Sequence, residues 1–518
     1  MSAIAHTDAN PADAPPAEGT HHRGLITLCV MGASVMQALD MTIANVALPH
    51  IQGSISSTQE QMSWVLTSYI VATAIMTPFS GWLAGRIGRR RLFLLSVMGF
   101  SISSMLCGIA QSLPEIVIAR ALQGITGAAL VPMSQAVLLD INPPERHGRA
   151  MSVWAMGIMV GPIIGPALGG WLTEYYSWRW VFFINVPVGI LAWLGIAAFM
   201  PETRKVKSRF DFFGFAMLSL AIGALQLMLD RGQTLDWFAS TETWITFGLA
   251  LLAGYLFIVH LATTDKPPFI SLALFADRNF LTGSFFILLV GMVLFATLAL
   301  LPPLLQDLMG YPVLYTGLIT APRGIGTLVA MILLNRLMGL IDTRYLVAFG
   351  FALTAVSLWI MTGFYLQMPS DLVIWSGVLQ GFGTGFVFLP LSTLSFATLA
   401  PRLRNEGAAM FSLIRNIGSS IGIAIVVALL TRNTQILHAR LGERVTPFAD
   451  GLAGLDAGSV AAAGDLAGVN AEVTRQAAMM AYNNNFHLML VLTLCAIPLV
   501  VLLRPATAGP KDTNAVME

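Results

Sequence analysis

Charge is scarce in this chain of 518 residues: only 11% are Asp, Glu, Lys or Arg, where a soluble domain carries about 25%. That shortage places the chain among polytopic membrane proteins. Formal net charge is +1, so there is no bulk electrostatic case for nucleic acid or an acidic partner. Cysteine is scarce too. Cys29, Cys107 and Cys495 all fall in apolar stretches, which argues against a disulfide framework and against metal-ligand spacing and leaves them a packing role. No HExxH, no GxSxG and no cluster of His, Asp and Glu occurs within the apolar stretches, so a membrane-embedded enzyme has no support. Residues 1–23, with Pro11, Pro15, Pro16, His21 and His22, lack the basic start and cleavage site of a signal peptide and read as a cytoplasmic tail.

Apolar residues are abundant, 56% of the chain. At about 20 residues per membrane span, the pattern predicts an all-α protein of fourteen helices, starting near residues 24, 62, 91, 115, 150, 178, 211, 243, 279, 313, 345, 372, 407 and 485. Most basic residues, including Arg86, Arg89, Arg90, Arg91, Arg146, Lys205, Arg336 and Arg404, fall on one side of that layout. The positive-inside rule makes this side cytoplasmic, together with both termini. The chain also repeats itself. Residues 120–138 align with 377–395 through LQG and a nearby proline, and Gly148, Ala150 and Met151 align with Gly407, Ala409 and Met410. This predicts two six-helix halves, 24–200 and 279–503, with two inserted helices in 201–278 and tails at 1–23 and 504–518. Repeated halves with a site at their interface are the build of many secondary transporters. The segment 432–484 reads as an outer loop with short amphipathic helices, large enough to touch a partner.

The first helix carries Asp40, and a carboxylate inside a bilayer costs several kcal/mol, so it needs a partner and a reason. Its helical face holds Ala33, Met36, Gln37, Ile43, Ala44 and Ala47, which are mostly small or flexible and pack against helices. The competing reading puts Asp40 in headgroup water. Arg120 on the fourth helix lies at nearly the same depth and shares its face with Gln123, Gly124 and Gly127; its competing reading is an arginine that snorkels to the outer surface. The fifth helix has Gly157, Gly161, Gly165 and Gly169 at intervals of four, interrupted by Pro162 and Pro166, a smooth face for close approach and a candidate gating helix. Between helices 2 and 3, Gly81, Gly85, Arg86, Gly88, Arg89, Arg90 and Arg91 read either as a latch onto acidic groups or helix ends, or as plain positive-inside anchoring.

LDMTIANVALP (39–49), the loop at 81–91, RALQG (120–124), GPIIGPALGG (161–170) and WRWVFFINVPVG (178–189) together resemble the fourteen-helix drug:proton antiporters of the major facilitator superfamily. LQLMLDRGQTLDWF (225–238) and the long outer segment resemble its EmrB-like branch. The resemblance implies proton-driven export of lipophilic compounds from the inner membrane, with export of one endogenous metabolite or lipid as the alternative. Asp40, as the only deep carboxylate, is expected to carry the proton and Arg120 to tune it, with no cofactor besides the proton. The resemblance also implies a periplasmic adaptor and an outer-membrane channel as partners. In this loop Gly85 stands where the superfamily usually has an acid, which puts the latch in question. Arg323 and Arg415 fall near the midplane of their helices. Three deep arginines against one deep carboxylate make a positively biased interior, expected to favour anionic or weakly acidic lipophiles. Met36, Gln37, Gln123, Arg323 and Arg415 are therefore the candidate cavity residues; for Arg415, capping of backbone carbonyls is the alternative.

Overall fold

The computed structural model describes residues 22–57, 59–143, 146–202, 210–264, 270–338, 340–400, 403–443, 445 and 463–503. The tails beyond these bounds, and 446–462 of the expected outer segment, lie outside the described residues. Fourteen long helices follow one another: α1 (Arg23–Ile55), α2 (Gln59–Ile87), α3 (Arg89–Ile109), α4 (Leu113–Ile141), α5 (His147–Tyr175), α6 (Trp180–Phe199) and α7 (Phe212–Arg231). The series continues with α8 (Thr241–Thr263), α9 (Arg278–Leu308), α10 (Val313–Thr320 resumed as Pro322–Leu337), α11 (Thr343–Met361), α12 (Ser370–Ala397), α13 (Arg404–Gly442) and α14 (Ala463–Leu499). Among the described residues, thirteen segments are long and apolar enough to cross a membrane, and α5, of 29 residues, occupies the remaining place.

Proline explains the irregularities. The helical run of α4 is interrupted at Ala128 and Ala129, one turn before Pro132, whose missing N–H cannot bond the carbonyl four residues back. The break in α10 falls at Ala321, directly before Pro322. Pro302 and Pro303 precede the π turn Leu304–Leu308 that closes α9.

One boundary departs from the sequence reading. The last helix does not start near 485 but at Ala463, and α13 runs unbroken to Gly442, so much of the expected loop is helix. Ala467, Ala471, Glu472, Arg475, Gln476, Ala477 and Ala478 are good helix formers, and α13 supplies a packed neighbour. At 39 and 37 residues and 1.5 Å per residue, these helices are about 55–58 Å long, well beyond a hydrocarbon core of about 30 Å. They form a projecting hairpin, tied by a 2.9 Å hydrogen bond between His438 and Asn470.

The internal repeat has a geometric counterpart. Thr73 of α2 donates to the Gly124 carbonyl of α4 (3.3 Å), and Thr327 of α10 donates to the Gly381 carbonyl of α12 (3.0 Å). The inserted pair sits to one side: α7 packs on α2 and α13, and α8 packs on α7. Only 11% of the apolar window of α8 is buried, and Leu251, Leu252, Tyr255 and Ile258 face outward, a surface suited to lipid. Between the halves, Trp154 of α5 stacks on Phe388 of α12, 5.8 Å between ring centroids.

Candidate functional site

Asp40 and Arg120 meet in the interior of the first six helices, at 0% and 1% side-chain exposure. Arg120 Nη1 donates to Asp40 Oδ2 at 2.6 Å and to Gln123 Oε1 at 2.8 Å, and its Nε donates to the Val65 carbonyl at 3.2 Å. Gln123 Nε2 donates to Asp40 Oδ1 at 2.9 Å. Neither the headgroup position for Asp40 nor the snorkelling arginine fits this burial. Three participants, Asn185, Ser104 and Tyr69, carry no periodic signal in the sequence. Asn185 of α6 donates its second bond to Asp40 Oδ1 (2.8 Å) and one to Ser104 of α3 (3.0 Å), which donates in turn to the Phe182 carbonyl (2.8 Å). The Tyr69 ring lies 4.3 Å from the guanidinium carbon of Arg120, close enough for a cation–π contact. Five helices thus converge on one carboxylate whose oxygens both accept charged or amide donors.

Small residues set that convergence. A β-carbon at Gly124 would approach the Tyr69 carbonyl to 2.5 Å, so α4 reaches α2 only because Gly124 has none. The α5 glycines all back onto α1: Gly157 on Met31, Gly161 on Ala38 and Leu39, Gly165 on Thr42 and Gly169 on Ile43. Thr42 Oγ1 lies 3.2 Å from the Gly161 carbonyl oxygen. This face therefore holds the segment of α1 that carries Asp40. Pro162 and Pro166 lie in the same helix, with side chains outside the described residues. On the other side of α5, Ala167 meets Gly317 of α10, where an added β-carbon would come within 3.0 Å.

In the 81–91 loop, Gly88 has φ +91°, a left-handed conformation that glycine tolerates. Gly81 is buried, while a β-carbon at Gly85 would meet open space. Arg89 pairs with Asp140 at the end of α4, and Arg404 at the start of α13 approaches the same carboxylate to 3.9 Å. Asp140 thus supplies an acidic partner to a loop that lacks one at Gly85, and it touches both halves. Arg90 donates to the Ala197 carbonyl of α6 at 2.5 Å, Arg91 lies 3.7 Å from Glu202, and Arg86 stacks over Trp82 at 5.4 Å.

The chain has relatives among known proteins. The family model described as Major Facilitator Superfamily matches residues 30–423. Multidrug export protein EmrB of Escherichia coli K12 is 39% identical over 427 residues, 82% of this chain and 83% of that protein. Fatty acid resistance protein FarB of Neisseria gonorrhoeae is 37% identical over 499 residues, 95% of this chain and 98% of that protein. The chain belongs to the major facilitator superfamily, in its EmrB-like drug-antiporter family. Solved structures agree on the fold. A crystal structure of the human organic anion transporter TETRAN superposes with a TM-score of 0.60 at 15% identity, covering 91% of this chain and 99% of that one. The proton:xylose symporter XylE gives 0.58 at 14% identity, covering 93% and 97%.

The remaining cavity candidates of this multidrug efflux transporter are spread over both halves. Met36 and Gln37 are buried on α1, Gln123 belongs to the Asp40 network, and Arg323 is 9% exposed on α10. Both terminal nitrogens of Arg323 lack a hydrogen-bond partner among the described residues. Arg415 of α13 is half-buried, with Nη2 at 3.4 Å from Ser412 Oγ and from Asn416 Oδ1, so its partners among the described residues are side chains. An unpaired guanidinium in a low-dielectric interior is costly and holds a standing attraction for an anion.

Proposed function

We propose that this transporter sits in the bacterial inner membrane with both termini cytoplasmic and exports lipophilic compounds in exchange for protons, by alternating access of halves 24–200 and 279–503. The observation that carries the reading is the buried Asp40–Arg120 pair. A carboxylate held by a cation and two amides is stable as the anion; withdrawing the cation in a low-dielectric site favours proton uptake. A cycle that separates and rejoins the pair therefore binds a proton in one state and releases it in the other. Arg120 tunes Asp40, Gln123 and Asn185 orient it, and Met36, Gln37, Gln123, Arg323 and Arg415 contribute to the substrate cavity. The α5 glycines and the loop from Gly81 to Arg90 govern the conformational change. The proton is the coupling ion. The hairpin of α13 and α14 offers a surface to a periplasmic adaptor that connects to an outer-membrane channel.

The decisive experiment reconstitutes the purified protein in liposomes enclosing a pH-sensitive dye. Adding a transported compound should move protons in the direction opposite to the compound, and an imposed pH gradient should drive its accumulation. Compound movement indifferent to the gradient would refute proton exchange.

A preference for weak acids is supported by Arg323, whose terminal nitrogens have no partner among the described residues, and by the likeness to FarB, a fatty acid resistance protein. Removing that charge by Arg323→Ala should lower export of weakly acidic lipophiles and raise export of lipophilic cations, because unit charges interact several-fold more strongly in a dry interior than in water. The ratio of the two rates is the quantity to measure. An unchanged ratio at normal expression would show that substrate does not meet Arg323.

A further inference from the structure

The second half contains a discharged copy of the Asp40 site. Under the repeat that aligns 120–138 with 377–395, Gln123 corresponds to Gln380 and Arg120 to Gly377. The hydrogen bonds follow the same register. As Gln123 Nε2 donates to Asp40 on α1, Gln380 Nε2 donates to Thr297 on α9 at 3.1 Å. As the Asn185 amide reaches Asp40 from α6, Met489 reaches Thr297 from α14, with a thioether sulfur 3.7 Å from the hydroxyl in place of the amide nitrogen. Arg323 occupies the place of Tyr69: both lie with their backbone against the glycine that follows the glutamine, Gly381 and Gly124.

The missing arginine leaves a chemical gap. Gln123 Oε1 accepts from Arg120, but Gly377 offers nothing to Gln380, whose Oε1 is buried without a partner among the described residues. Beside it lies a cavity of about 20 Å³ lined by Gln380, Thr354, Thr384 and Thr493 and by apolar side chains of α9, α11 and α12. Each threonine has already used its proton within its own helix: Thr354 donates to the Gly350 carbonyl (2.9 Å), Thr384 to Gln380 (2.8 Å) and Thr493 to Met489 (2.7 Å). The threonine hydroxyls and Gln380 Oε1 are therefore left as acceptors. A site of about 10–15 Å³ or more with two to four polar partners is enough for one water.

We propose that this cavity between α9, α11, α12 and α14 binds a single water, which donates to Gln380 Oε1 and to the Thr384 hydroxyl one turn further along α12, in the place where the first half has the Arg120 guanidinium. Water fits better than a metal cation. A sodium ion would meet neutral oxygens only, and the Arg323 charge is carried on the helix that packs against Gly377 and Gly381, so like charges in a dry interior oppose it. The second half then keeps the architecture of the first without its carboxylate–guanidinium pair.

The test uses the full-length protein in lipid nanodiscs and a cryo-EM map that resolves other internal waters. Expected is a density peak within hydrogen-bond reach of Gln380 Oε1, retained in Thr384→Ser and lost in Thr384→Val, with the isosteric valine variant melting a few degrees below wild type. An empty cavity in such a map, or a valine variant at least as heat-stable as wild type, would overturn the proposal. A melting temperature that rises with sodium but not with choline would also overturn it, in favour of a cation.

Discussion

Asp40 is the residue on which the transport reading turns, and its surroundings say how a substitution should fail. Asparagine has nearly the shape of aspartate and keeps an acceptor for Gln123 and Asn185, but it cannot exchange a proton and leaves Arg120 buried without a counter-charge. Breaking a buried pair in this way costs about 3–5 kcal/mol, so Asp40→Asn should lower thermal stability as well as abolish proton-driven efflux. Adding Arg120→Gln removes the orphan charge and should recover much of the stability and none of the coupling. Proton-driven efflux at wild-type rates by Asp40→Asn would remove this residue from the mechanism. The contact between Asp40 and Arg120 is legible in the sequence, because two charged side chains at one depth in apolar helices have few alternatives to each other. Asn185 is not: a single amide in an apolar run has no period, and its bond to Asp40 spans 145 residues of chain. Asp140 escapes for another reason. It sits at a helix end, where an acidic residue is ordinary, and only the fold brings Arg89 and Arg404 to it.

At the scale of elements, α5 shows what a pattern discloses and what it leaves out. Glycine at every fourth position announces a close helix contact, but the spacing is equally compatible with α1, with α10 or with a helix that slides. The structure seats all four glycines on α1 and gives α10 the opposite face through Ala167. A leucine at Gly165 would collide with Thr42, two residues along α1 from Asp40. The expected outcome of Gly165→Leu is a membrane-inserted protein without transport, destabilised by about 1–3 kcal/mol. Wild-type transport by that variant would mean that α1 and α5 can separate freely. The helix starts read from hydropathy agree with the structure up to α13 and fail at α14, since a hydropathy window registers the apolar part of a helix and not its polar continuation into water. Alanine, glutamate and arginine carry α14 back to Ala463 beside α13, a decision made by helix propensity and packing together.

For the whole molecule, the inserted helices bear on how two halves exchange positions. Helix α7 is anchored to the first half: Gly223 faces Ile75 of α2, Arg231 stacks on Trp64 at 5.0 Å, and Phe215 and Phe210 surround Phe79 and Trp82. To the second half it presents a lighter contact, in which Gln226 Nε2 donates to Ser420 Oγ of α13 at 2.8 Å. A rocking motion between halves must break one of these attachments, and a single neutral hydrogen bond, worth about 0.5–1.5 kcal/mol net, yields before an aromatic cluster does. On this reasoning α7 travels with α2, and the α7–α13 contact opens and closes in each cycle. Cysteines at positions 226 and 420, in a chain whose three native cysteines are replaced, should arrest transport when oxidised to a disulfide and recover it on reduction. Unimpaired transport by the oxidised protein, with the cross-link verified by mass spectrometry, would mean that α7 moves with α13 and that the seam between α2 and α7 is the one that parts.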